Sequence, residues 1–124
     1  MINRIDIVSI PVSNQAMSKA FYMDKLGFDL VRENPMGPDQ AWVELTPHGA
    51  QTSITLTTWF PAMPPGSVQG IVLDTNDIDT THAELENRGL AISQISEAPW
   101  GRFATFSDPD GNGWVLQEAP GSVR

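Results

Sequence analysis

The sequence predicts an α+β fold built from two tandem βαβββ modules, repeat 1–60 and repeat 68–119, inside a single domain spanning residues 1–124. Three observations carry this. Ile7-Val8-Ser9-Ile10 sets over Gly70-Ile71-Val72-Leu73, apolar on apolar, at an offset of 63 residues. After each of these segments comes a cappable helix stopped by a glycine, then three extended segments. Between the halves, Pro61-Ala62-Met63-Pro64-Pro65-Gly66-Ser67 is a Pro-rich connector that continues neither strand. A unit of about sixty residues buries too little surface to be comfortable alone, so the halves are expected to pack together.

The elements follow in order. Residues 1–12 alternate like a strand. Ser13 or Asn14 can cap a helix through Met17, Ala20, Phe21 and Leu26 that stops at Gly27. Strands are then expected at 28–32, 42–45 and 53–56. In the second half, 70–73 is a strand and Asp77 caps a helix through Ile78, Ala83 and Leu85 to Gly89. Strands at 90–95, 103–106 and 113–116 complete it, and the offset drifts from 63 to 60 as loop lengths change.

Before the last strand stands Ser107-Asp108-Pro109-Asp110-Gly111-Asn112-Gly113, which spells the opening of a calcium loop. The twelfth position of such a loop needs a bidentate Glu, and here it is Ala119, with Glu118 one residue early. Trp114-Val115-Leu116 continues as a strand and not as an exiting helix, so the stretch reads as a sharp turn.

Composition narrows the partners. Seven Lys and Arg stand against fifteen Asp and Glu, a net charge of -8, and this argues against a nucleic-acid partner. Cysteine is absent, which removes disulfides, thiol nucleophiles and thiolate metal sites. No apolar run reaches the roughly 18 residues of a membrane helix, and the first residues read as a strand and not as a leader. A cytoplasmic protein with no membrane partner is therefore expected.

Strand alternation sorts the side chains by face. Val8, Ile10, Val43, Leu45, Ile54, Leu56, Ile71, Leu73, Ala104, Phe106, Trp114 and Leu116 form the apolar phase expected under the helices. The opposite phase holds Ile7, Ser9, Trp42, Glu44, Thr55, Thr57, Trp59, Gly70, Val72, Asp74, Phe103, Thr105, Val115 and Gln117. Such a mixed surface suits a partly aromatic ligand, with rings for contact area and a few polar groups for orientation. Glu44 and Asp74 are its candidate anchors for a cation and its candidate general bases. The loop before residue 103 adds Trp100 as a lid and Arg102 as a partner for an anion or carbonyl, or for a surface carboxylate.

The paired βαβββ arrangement, Phe21-Tyr22 and Leu26-Gly27-Phe28 after the first helix, and Asp108-Pro109-Asp110-Gly111-Asn112 before the last strand resemble the vicinal oxygen chelate superfamily. Its members include glyoxalase I, extradiol dioxygenases, fosfomycin-resistance enzymes and bleomycin-binding resistance proteins. The resemblance implies a curved mixed sheet around a cleft, with the helices on the convex side and the opposite phase lining the cleft. In the superfamily's enzymes a divalent metal is held by side chains on the first and last strands of each repeat. Those positions fall here on Ile7, Thr55, Gly70 and Val115, which offer no chelating set. No metal and no other cofactor is expected.

The resemblance is closest in kind to the metal-free, bleomycin-binding branch. It implies sequestration of an aromatic or cationic small molecule, an antibiotic or other natural product, by a homodimer, with no catalytic residue. The alternative is an enzyme of glyoxalase-type lyase or isomerase or of dioxygenase type, with Glu44 as base or with Glu44, Asp74 and Gln117 as non-standard metal ligands. His48, in a turn, and His82, mid-helix, are read as surface residues.

Overall fold

The computed structural model describes residues 1–120, so the last four residues of the expected domain lie outside the described residues. The order is β1 (Ile7–Pro11), α1 (Gln15–Ala20) running into a π-helical turn (Phe21–Lys25), β2 (Asp29–Gly37), β3 (Gln40–Thr46) and β4 (Ser53–Thr57). It repeats as β5 (Ile71–Asp74), α2 (Ile78–Asn87), β6 (Ser96–Ala98), β7 (Gly101–Ser107) and β8 (Gly113–Glu118). Both expected caps form. Asn14 accepts from the Met17 amide at 3.0 Å, and Asp77 accepts from the Thr80 amide at 3.2 Å.

Each module closes its own four-stranded sheet, ordered β1-β4-β3-β2 and β5-β8-β7-β6. The first strand of each module runs parallel to the last, and the other neighbours are antiparallel. Ladder register sets the faces. Ser9, Thr55 and Glu44 lie in one lateral row of the first sheet, and Val72, Val115 and Thr105 in one row of the second.

The apolar phases of the two sheets meet. Ile10, Val43, Leu45, Ile54 and Leu56 from the first module share a single buried cluster with Leu85, Phe106, Trp114 and Leu116 from the second. Trp114 is its centre, stacked on Phe106 at 6.2 Å and edge-on to Tyr22 at 5.7 Å and Phe28 at 6.2 Å. Each such ring pair adds about 0.5–1.5 kcal/mol beyond area burial. The opposite phase of each sheet lies on the face turned away from this cluster, its outer face.

The turn 108–112 fastens the modules. The buried Asp108 carboxylate accepts from Tyr22 Oη at 2.8 Å, Asn112 Nδ2 at 2.8 Å and the amides of Asp110 and Asn112 at 3.0 and 2.9 Å. Asn112 Nδ2 also donates to the Pro11 carbonyl at 2.8 Å, and Asp110 accepts from Ser13 Oγ at 2.6 Å. The sole tyrosine is thus held by desolvation and by the Asp108 charge, and its phenol titrates well above the ordinary 10.0. The calcium spelling resolves into a turn whose carboxylates are engaged by donors of the first module.

Three expected strands differ, the one at 28–32 by running on to Gly37. Residues 90–95 form only an isolated bridge, Ile92 with Phe106, and the paired strand starts at Ser96. Ser93 explains this, because its hydroxyl, in place of a backbone carbonyl, accepts the Thr105 amide at 2.8 Å. The strand expected over 1–12 is regular only from Ile7, and Met1 to Asp6 are exposed.

Candidate functional site

The outer face of the first sheet is the first wall of the candidate site. β4 reads Ser-Ile-Thr-Leu-Thr, so its alternate positions 53, 55 and 57 present three hydroxyls to this face while Ile54 and Leu56 enter the core. Thr55 is 2 % exposed, Thr57 1 % and Glu44 6 %. Trp42 Nε1 donates to Glu44 Oε1 at 3.1 Å. Thr55 Oγ1 and Thr57 Oγ1 have no hydrogen-bond partner among the described residues. Ile7, Ser9, Trp42 and Trp59 are half-buried around this polar strip, and Trp59 lies 6.1 Å from Phe60, ring to ring.

The outer face of the second sheet is more open and more apolar. Val72 and Trp100 are about half exposed, and Trp100 stacks on Phe103 at 5.9 Å. Phe103 pairs in register with Gln117, which pairs with Asp74, so an aromatic pair and an amide sit side by side. Gly70, Thr105 and Val115 line a shallow cavity of about 490 Å³ at the other end of the wall.

Arg102 does not join either wall and takes the second of its two expected roles, pairing with a surface carboxylate. It is out of phase with Phe103, and its guanidinium turns to α2, where it meets Asp79 bidentately at 2.8 and 2.9 Å. Hydrogen bonding to Arg102 holds the Asp79 carboxyl below the usual range, and the same bond raises the Arg102 guanidinium. His48 is an exposed partner of Asp29 at 2.8 Å, and His82 reaches the Ser93 carbonyl at 2.7 Å, far from a shared centre. A larger cavity of about 920 Å³ opens between α1 and the β2–β3 hairpin, but it contains no wall residue and its Lys19 is paired with Glu33 at 2.6 Å.

The donors at the family's metal positions do not fit a metal. Ile7 and Thr55 share the first wall and Val115 lies on the second, but among these and Gly70 only Thr55 has a side-chain donor. Among the described residues no three His, Cys, Asp or Glu side chains are placed to hold an ion. No helix among them is long and apolar enough to cross a membrane.

Sequence reasoning missed Ser53, 8 % exposed in the hydroxyl row, although the alternation in 53–57 displays it. It also missed the engagement of Tyr22 with Asp108, which lies 86 residues away and has no local signal.

Residues 4–116 match the Glyoxalase/Bleomycin resistance protein/Dioxygenase superfamily, and the chain belongs to it. It is 45% identical to TnmS3, an antibiotic binding protein from Streptomyces sp. CB03234, with a TM-score of 0.89 over 95% of this chain and 97% of that one. A glyoxalase/bleomycin resistance protein from the same Streptomyces strain is 46% identical, with a TM-score of 0.81 over 92% and 99%. Among curated proteins, YetH of Bacillus subtilis, which is uncharacterized, is 36% identical over 95% of this chain and all of its own length.

Proposed function

We propose that this chain binds and sequesters an aromatic or cationic small molecule, an antibiotic or other natural product, in the cytoplasm and without a metal. The observation that carries the reading is the first wall, where a carboxylate and two threonine hydroxyls are almost fully buried amid tryptophan rings. Polar groups set among rings on one face suit a ligand with an apolar body and a few groups that fix its orientation. Similarity to an antibiotic binding protein adds support.

The active form in this reading is a homodimer. The two walls belong to different sheets, so in this reading a cleft walled on both sides takes one wall from each of two chains. Glu44 is the anchor for a cationic or donor group, and Trp42, Trp59, Trp100 and Phe103 supply ring contacts.

Isothermal titration with a panel of aromatic antibiotics tests this directly. Saturable binding is expected, unaffected by chelator, in a protein that sediments as a dimer. Glu44→Gln is expected to weaken binding of cationic members about tenfold or more. Metal-dependent turnover of a glyoxalase- or dioxygenase-type substrate, abolished by the chelator, would overturn the proposal.

A further inference from the structure

The geometry points to a second small-molecule site, in the gap between the helix sides of the two modules, for a cation with an apolar body such as an alkylammonium. It does not depend on the binding role proposed for the walls.

The apolar phases of the two sheets meet without closing completely. Ile10, Leu45 and Leu56 are sealed from water, whereas Val8, Leu26, Ile71 and Leu73 remain partly exposed. Among these four opens a cavity of about 460 Å³, with Leu85 and Trp114 in its lining. Sheet order accounts for the gap. β1 ends the first sheet and β5 ends the second, so each has a neighbouring strand on one side only.

The cavity falls within the range of roughly 300–1,000 Å³ in which small-molecule sites lie. An apolar cavity of about 150 Å³ accommodates benzene, so there is room here for a body about three times larger. Its depth asks for hydrocarbon. Trp114 Nε1 already donates to Tyr22 Oη at 3.1 Å, and a polar ligand atom carried that far in would be stripped of water without a partner.

The rim decides the charge. Thr52 Oγ1 donates to the Ile5 carbonyl at 2.8 Å, and the Thr75 and Thr81 hydroxyls bond each other at 2.7 Å, so these groups are engaged within the protein. Among the described residues that line the cavity, Asp74 is the sole charged one, and it is exposed. A carboxylate offers about four acceptor positions, which lets Asp74 receive an ammonium beside the interaction it already makes. A carboxylate at the mouth, on a chain of net charge -8, attracts a cation and repels an anion of the same shape.

The test titrates n-octylammonium, 1-octanol and n-octanoate, three probes with one hydrocarbon chain, by calorimetry and amide NMR. Saturable binding of the ammonium is expected, about tenfold or more tighter than octanoate, with shifts concentrated at Val8, Leu26 and residues 71–74. Asp74→Asn is expected to bring the three probes within about threefold of one another. Leu73→Trp, which fills the cavity from a partly exposed position, is expected to abolish binding of all three, and Ile71→Phe repeats that test with a smaller filling should the first variant fail to fold. Equal binding of ammonium and octanoate to the wild-type protein overturns the charge selection. Shifts confined to Trp42, Glu44 and Trp59 place the probe on the first wall and overturn the site. Absence of binding by every probe overturns it as well, and a changed sedimenting mass in Leu73→Trp then assigns the gap to contact with a second copy of the chain.

Discussion

The two modules share element order, ladder pattern and capping chemistry, yet they treat their outer faces in opposite ways. The first withdraws its wall from water, with Glu44, Thr55 and Thr57 all less than 10 % exposed, while the second leaves Val72 and Trp100 about half open. A dehydrated polar strip is costly and selective, because each of its groups demands a partner. An open aromatic wall is tolerant, because ring contact area serves many ligands. In the proposed binding role, the duplicated architecture divides recognition between a selective half and an adaptable half. A second asymmetry complements it. The turn that fastens the modules belongs to the second: its carboxylates accept from Tyr22 and Ser13 of the first, and its Asn112 Nδ2 donates to the Pro11 carbonyl.

Removing that turn's central carboxylate is the most severe way to break the division. Asp108→Ala leaves Tyr22 Oη and Asn112 Nδ2 short of a buried acceptor, and a loss of about 3–5 kcal/mol in denaturant unfolding is expected. Alkali attacks the same junction without a mutation. The folded Tyr22 phenol titrates above its unfolded value, so its contribution is complete below about pH 10 and is lost as pH rises further. Tyrosinate absorbance is expected to appear together with unfolding, and ionisation of the intact fold near pH 10 would contradict the buried contact.

Gly66→Ala probes the connector beside the turn. Gly66 has φ +84, and an added Cβ would collide with the Asp110 carbonyl, so a cost of about 1–3 kcal/mol is expected in thermal or chemical unfolding. Trp100→Ala sharpens the contrast between walls. At an open, exposed position it should change stability by no more than about 0.5 kcal/mol while weakening aromatic ligands severalfold in titration. Asp79→Asn, which breaks the exposed pair with Arg102, is expected to have the smallest effect. The small stabilisation it removes is the part lost in the wild-type protein as pH falls through the lowered Asp79 value, and ligand affinity should be unchanged.

Much of the fold was legible because its signals are local. Asn14 and Asp77 announce helix starts, Gly27 and Gly89 their ends, and period-two alternation sorts Ile54 and Leu56 from Thr55 and Thr57. The strand expected at 90–95 fails where a side chain competes with the backbone, since Ser93 uses its hydroxyl to take the Thr105 amide. Of the candidate site, the wall residues were placed by alternation. For Arg102 the sequence left two roles open, and the choice of a surface carboxylate was not legible because Asp79, its partner, lies 23 residues away.

The sequence by itself determined the duplication, the phase of each paired strand and the lack of chelating side chains at Ile7, Gly70 and Val115, since each depends only on residue identity and spacing. Only the tertiary structure decided how deeply each wall is buried, where Arg102 turns and what the Asp108 turn holds. Those properties arise from contacts between residues up to 101 positions apart, as between Asn112 and Pro11, and no local pattern encodes such a meeting.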